Sequence, residues 1–268
     1  MEIRDQRIDA GKGFDWGRTS KEYAKYRDIY PELFYRKITD RGLCVTGQKC
    51  LDLGTGTGVL PRNLYRHGAK WIGTDISREQ IEQAEILTKQ SHMEIEYLVT
   101  PAESIPFPPD TFDVVTACQC FWYFDHSRLM PVIADRLKED GKLLILQMAW
   151  LPFEDALAGA SEELVLKYSP NWSGAGWTRR PVGIPDAVYE FFELEDHEEY
   201  DVMVPFTKET WHGRMKACRG VGASLNPQEL ESWEGEHRKL LDQIAPEQFE
   251  VKHFAAMAVL RVKKKSNR

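Results

Sequence analysis

The residues with the clearest chemical meaning are Asp52-Leu53-Gly54-Thr55-Gly56-Thr57-Gly58, a glycine run between an apolar strand pattern and a helical one. Glycine lets the backbone turn tightly and approach a ligand with no Cβ in the way, and the N–H groups opening the next helix favour an anionic group. Asp75 closes the following strand pattern, 21 residues after Gly54. A carboxylate at that spacing can accept hydrogen bonds from a ribose diol. A dinucleotide fingerprint, G-x-G-x-x-G, needs glycine where this chain has Val59; its third glycine comes one place early, at Gly58. Asp52, shortly before the first glycine, suits a cationic amine better than a pyrophosphate. NAD(P) binding and a purely structural turn are both disfavoured.

A second set of side chains could line an acceptor pocket. Trp122, Tyr123 and Phe124 follow the fourth strand pattern, and Trp16, Tyr23 and Tyr26 stand in the N-terminal region. Aromatic faces can stabilise a cation or wall a pocket, and they can equally pack a cap onto a sheet. Arg27 suits a carboxylate, on a cofactor or on an acidic substrate. His126, just past the fourth strand, is the candidate general base, with an exposed or capping role as the alternative. His212 and Arg214, in Trp211-His212-Gly213-Arg214, are further pocket candidates that otherwise lie on the surface.

The elements that must position these residues alternate. Strand patterns fall at Cys50–Leu53, Trp71–Asp75, Ile95–Val99, Asp113–Ala117 and Leu143–Met148. Between them lie helical faces: Val59, Leu60 and Leu64; then Ile81, Ala84 and Leu87 behind a Ser77/Gln80 capping box; then Leu129, Val132, Ile133 and Leu137, with Gly141 as the stop. Strand–helix alternation predicts a doubly wound α/β fold, a parallel sheet covered on both faces, with its ligand crevice at the carboxyl ends of the strands. Two short helices, after Ser20 and from Pro31, precede the sheet, residues 150–186 read as loop, and a helix over Leu230–Ile244 separates strands at His197–Pro205 and His253–Val262.

The loop, Asp75 and the block Ala102-Glu103-Ser104-Ile105-Pro106-Phe107-Pro108-Pro109-Asp110-Thr111-Phe112-Asp113-Val114-Val115 resemble class I S-adenosylmethionine-dependent methyltransferases of the small-molecule type, such as those of ubiquinone/menaquinone biosynthesis and trans-aconitate methylation. Lys138-Glu139-Asp140-Gly141-Lys142-Leu143-Leu144 is similar to that family's entry to strand five. The resemblance spans residues 20–149. It implies a Rossmann-like, seven-stranded, mostly parallel sheet with an antiparallel last strand and a helical, aromatic cap. It implies S-adenosyl-L-methionine as cofactor and S-adenosyl-L-homocysteine as product. Gly54, Thr55, Gly56 and Gly58 would line the methionine and ribose, Asp52 the amino group, Asp75 the ribose hydroxyls and Ile76 the adenine face. Ala102 and Glu103 would bracket the adenine edge, with Cys118 and Gln119 under the sulfonium. Many relatives carry Asp before the Ala-Glu pair, where this chain has Pro101, so an adenine contact must come from elsewhere.

Composition bounds the partners. The chain has 268 residues, a net charge of −7 and 42% hydrophobic residues, with a mean hydropathy of −0.47. An acidic balance argues against nucleic acid, which needs a concentrated basic surface. No apolar leader core and no membrane-length apolar run is present, the five cysteines form no CxxC, and no zinc-ligand spacing occurs. A cytoplasmic protein with reduced thiols and no metal is the expectation, and Lys263-Lys264-Lys265 reads as a solvated terminus. The economical organisation is one methyltransferase domain over residues 1–268: cap helices at 14–42, a cofactor core at 43–149, cap insertions at 150–196 and 206–250, and final strands at 197–205 and 251–262. Methyl transfer to an O, N or C atom of a small molecule leads. A non-catalytic cofactor-binding module is the alternative, with RNA or protein methylation behind it. Neither the acceptor nor the oligomeric state has a diagnostic motif.

Overall fold

The computed structural model describes residues 2–264. Met1, at the head of the segment read for a leader, and Lys265, the last of the basic run, lie outside the described residues. Among the described residues there are seven strands: β1 Lys49–Leu53, β2 Lys70–Asp75, β3 Glu96–Val99, β4 Phe112–Cys118, β5 Leu137–Trp150, β6 Phe192–Thr207 and β7 Gln248–Val262. They form one sheet in the order β3-β2-β1-β4-β5-β7-β6, mostly parallel with the last strand antiparallel. The reversal of order between β1 and β4 is the switch point at which such sheets hold ligands.

The helices are α1 Ser20–Tyr26, α2 Glu32–Thr39, α3 Val59–Leu64, α4 Arg78–Gln90, α5 His126–Arg136, α6 Ala156–Tyr168, α7 Asp186–Tyr189, α8 Lys208–Lys216 and α9 Pro227–Ile244. The chain divides into two compact units. Among the described residues, one comprises 31–148, 180–200 and 255–264; the other comprises 2–30, 149–179 and 201–254.

In the first unit, the central strands are buried on both faces. Leu51 pairs with Ile72 and Val115 in parallel register, and Cys50, Leu51 and Leu53 are almost wholly covered. Each fully buried aliphatic side chain there contributes about 1.5–3 kcal/mol. Ser77 caps α4, its hydroxyl accepting from the Gln80 N–H. The α5 pattern ends sooner than its sequence implies: Arg136 is its last residue, not a position next to Gly141. The cause is local. The Asp110 and Thr111 N–H groups take the Asp135 and Arg136 carbonyls, and Leu137 pairs with Phe112 as the first residue of β5.

In the second unit, a buried ion pair ties the N-terminal segment down. Arg219 donates through Nε and Nη2 to Asp9 at 2.7 and 2.8 Å, and the Ser173 N–H donates to the same carboxylate. Gly213 in α8 faces the Tyr26 ring of α1 so closely that an added Cβ would lie 2.2 Å from it. Residues 156–168, read as loop in the sequence, are helix α6, opened by Asp155, whose side chain accepts from the Ala158 N–H. Strand β6 starts at Phe192, ahead of the expected His197.

Candidate functional site

The glycine loop connects β1 to α3, and its conformation explains its composition. Gly54, Gly56 and Gly58 have φ of 58°, 56° and 73°, the left-handed region that side chains resist. The Thr55 N–H donates to the Thr74 carbonyl at 2.9 Å, holding the loop against β2. At the end of β2, Asp75 accepts from the Gly56 N–H at 2.9 Å through one oxygen and from the Ser77 N–H at 2.9 Å through the other. Burial raises its pKa above the ordinary carboxylate value. Each oxygen keeps a lone pair for a further donor, which is what a diol supplies.

Asp52 lies inside the sheet at 2% exposure and accepts from the Thr116 hydroxyl at 2.6 Å. Burial pushes its pKa up to about 7. A desolvated acid of this kind gains most from a cationic partner. Ile76, beside Asp75, is 41% exposed, an apolar surface at the strand end. Thr55 and Thr57 are buried in the same loop, and Ala102 is buried at the start of a short helical turn after Pro101. Glu103 accepts from the Asp125 N–H at 3.1 Å, linking that turn to the segment after β4. A glycine cradle, an acid suited to a diol, an acid suited to an ammonium and an exposed apolar side chain fit a nucleoside that carries an amino-acid side arm.

Beyond β4, Cys118 and Gln119 are partly covered. Gln119 adopts φ 65°, rare for a side-chain-bearing residue, while its N–H donates to the Leu146 carbonyl at 2.9 Å and its side-chain amide to the Met148 carbonyl. Such strain collects where a fold over-determines a site. Cys120 sets its thiol on the Leu53 carbonyl, and burial raises that thiol well above its usual pKa, so it is a packing group and not a nucleophile. The partner that sequence reading missed is this Cys120. A Cβ on Gly54 would fall 2.9 Å from both its Cβ and its sulfur. Gly54→Ala is therefore expected to lower stability by about 2 kcal/mol, from left-handed strain and overlap together. Urea unfolding that matched the unaltered chain would refute the fit.

Trp122 is 36% exposed, and Tyr123 lies beside it at 5.9 Å between ring centroids. His126 opens α5, half-buried, its Nε2 on the Phe121 carbonyl at 2.9 Å and its ring against Phe121.

The remaining predicted pocket residues belong to the second unit. Trp16 meets Tyr23 edge-on, and Tyr26 donates to Glu209 at 2.7 Å. Arg27 lies over the Tyr23 ring. His212 and Arg214 are not on the surface: they are 2% and 4% exposed. His212 packs against His237, with 2.9 Å between their Nδ1 atoms, and both stack on Trp233. Among the described residues no group of His, Cys, Asp and Glu is placed to hold a metal ion, and no helix is long and apolar enough to cross a membrane.

Residues 51–145 match the model of a methyltransferase domain. The ubiquinone biosynthesis O-methyltransferase of Bradyrhizobium diazoefficiens is 35% identical over 147 residues, covering 54% of this chain and 56% of that one. The uncharacterized methyltransferase YcgJ of Bacillus subtilis is 30% identical over 135 residues, 47% of this chain and 52% of its own length. Its solved structure superposes with a TM-score of 0.50 at 18% identity, over 88% of this chain and 100% of that one. The [4+2]-cyclase SpnF shares the fold with a TM-score of 0.51 at 18% identity, over 85% of this chain and 79% of that one. The chain spans about half the length of the curated relatives it matches.

Proposed function

We propose that this chain, whose residues 51–145 form a class I S-adenosylmethionine-dependent methyltransferase domain, transfers a methyl group from S-adenosyl-L-methionine to an O, N or C atom of a small molecule. The observation that carries the reading is the Asp75 carboxylate held by the Gly56 N–H inside a loop of three left-handed glycines. When bound, the cofactor supplies a methyl group already activated by a positive sulfur. The chain then has to bind, orient and exclude water. Asp75 holds the ribose hydroxyls, Ile76 gives the adenine an apolar face, and Asp52 answers the amino group. Gly54, Thr55, Gly56 and Gly58 line the loop side, Ala102 and Glu103 the adenine edge, and Cys118 and Gln119 the floor after β4. His126 already has its Nε2 on a backbone carbonyl, so no dedicated base is assigned. The O-methyltransferase names of the curated relatives support a small acceptor.

A shared fold does not choose the reaction, as the cyclase neighbour illustrates. Calorimetry with S-adenosylmethionine, S-adenosylhomocysteine and NAD tests the cofactor: the first two are expected to bind and NAD is not. Asp75→Ala is expected to weaken S-adenosylhomocysteine by at least about 1 kcal/mol, roughly fivefold, from the loss of a charge-assisted hydrogen bond. NAD binding alone, or unchanged affinity in the variant, would overturn the assignment. Release of S-adenosylhomocysteine across a panel of acceptors separates transfer from a binding module.

A further inference from the structure

We propose that Arg27 and Arg214 form a binding site for an organic carboxylate within the second unit, an inference that stands beside the methyltransferase reading and does not depend on it. Both belong to the second unit. Arg214 is 4% exposed, lies over the Trp150 ring at 4.9 Å and donates through Nη1 to the Cys218 sulfur at 3.1 Å. Its Nε has no hydrogen-bond partner. Arg27, half-buried, lies over the Tyr23 ring at 4.7 Å and donates to the Tyr23 hydroxyl at 3.3 Å. Neither guanidinium is paired with a carboxylate among the described residues. Two buried acids of this unit are committed elsewhere, Asp9 to Arg219 and Glu162 to the Trp150 indole and the Gly176 N–H.

Gly213, the neighbour of Arg214 on α8, abuts the ring of Tyr26, the neighbour of Arg27 at the end of α1, so the packing of α8 on α1 brings the two cations together. In keeping with that, burial first, and then the charge of Arg27, lower the pKa of Arg214 to about 10. His253 feels both charges, is kept neutral by burial, and has an Nε2 without a partner. Covered positive charge without an acid is costly to a fold, and only a counter-ion or removal of a charge relieves it. A guanidinium offers parallel donors that match a carboxylate, and the flanking Trp150 and Tyr23 rings suit an organic acid better than a hydrated inorganic ion.

The test uses the full chain and four probes, benzoate and succinate against their neutral amides, in calorimetry with and without S-adenosylhomocysteine. Carboxylates are expected to bind at least tenfold tighter than the amides, with S-adenosylhomocysteine present as well as absent. Arg214→Met and Arg27→Met should each abolish that preference. Arg214→Met should also leave S-adenosylhomocysteine affinity within about threefold and the melting temperature of the ligand-free protein no lower, since it removes an uncompensated buried charge. No preference in the unaltered chain would overturn the site. So would a preference that survives either substitution. Failure of the methyltransferase reading shows separately, as absent S-adenosylhomocysteine binding in the unaltered chain.

Discussion

Lowering the pH from 7 to 5 is expected to cost the unaltered chain about 2 kcal/mol more stability than it costs His237→Phe. Burial pulls His237 down to a pKa of about 3, His253 to about 3 and His212 to about 4. Facing groups adjust this: Arg238 lowers both His212 and His237, whereas Glu234 and Glu209 raise His212. An unfolded histidine titrates near 6.5, so the stability tied to these neutral rings is complete above that value. It is lost as pH falls below it, because only the unfolded chain takes up the protons. Integrated from 6.5 to 5, one such group accounts for about 2 kcal/mol. Other buried groups act oppositely: Asp52, Asp75 and Glu162 all have raised values, so the folded state gains protons first as the pH falls. Total stability is therefore a poor readout. The difference between the chain and one histidine variant cancels those opposing acids. At pH 7 the variant should be the weaker protein, since it gives up contacts to Ser161 and His212. Its deficit should shrink on acidification, as followed by urea unfolding at each pH. A deficit of constant size would mean that His237 titrates alike in both states.

What could be read from residue letters was chemistry and short-range order. Gly54, Gly56 and Gly58 announce a tight loop because no other residue adopts those angles cheaply, and Asp75 follows one strand later because a βαβ unit has a nearly fixed length. Helix α6 was not legible because its buried positions are Ala158, Ser161, Glu162 and Val165, two of them polar, so no apolar stripe marks it. Ser161 and Glu162 face inward to serve Trp211, His237 and Trp150, partners distant in the chain. The same blindness applied to His212 and Arg214. A surface histidine and a buried one share a letter, and burial here depends on Trp233, His237 and Trp150. Gly141 looked like a helix stop, but the chain had already left the helix to pair Leu137 with Phe112.

Binding of S-adenosylhomocysteine is expected to weaken roughly twentyfold between pH 7.5 and 5.5, and Asp52→Asn is expected to flatten that profile. Asp52 sits on β1, level with Thr116 of β4, with 2% of its surface exposed. Burial, opposed by the Thr116 hydroxyl and aided by the charge of Asp75, sets its pKa at about 7. If Asp52 receives the ammonium of the cofactor's methionine part, the bound cation favours the carboxylate and lowers that pKa. The free site must then lose a proton before it binds well. Affinity is full above about 7 and falls up to tenfold per pH unit beneath it, until the bound-state pKa is reached. The asparagine variant keeps the shape but cannot ionise, so it should bind weakly at pH 7.5 and no worse at 5.5. Asp75 remains in both proteins and cancels in the comparison. A flat profile in the unaltered chain, or an equal slope in the variant, would take the ammonium away from Asp52. The sheet would then hold a buried acid whose cost of desolvation no ligand relieves.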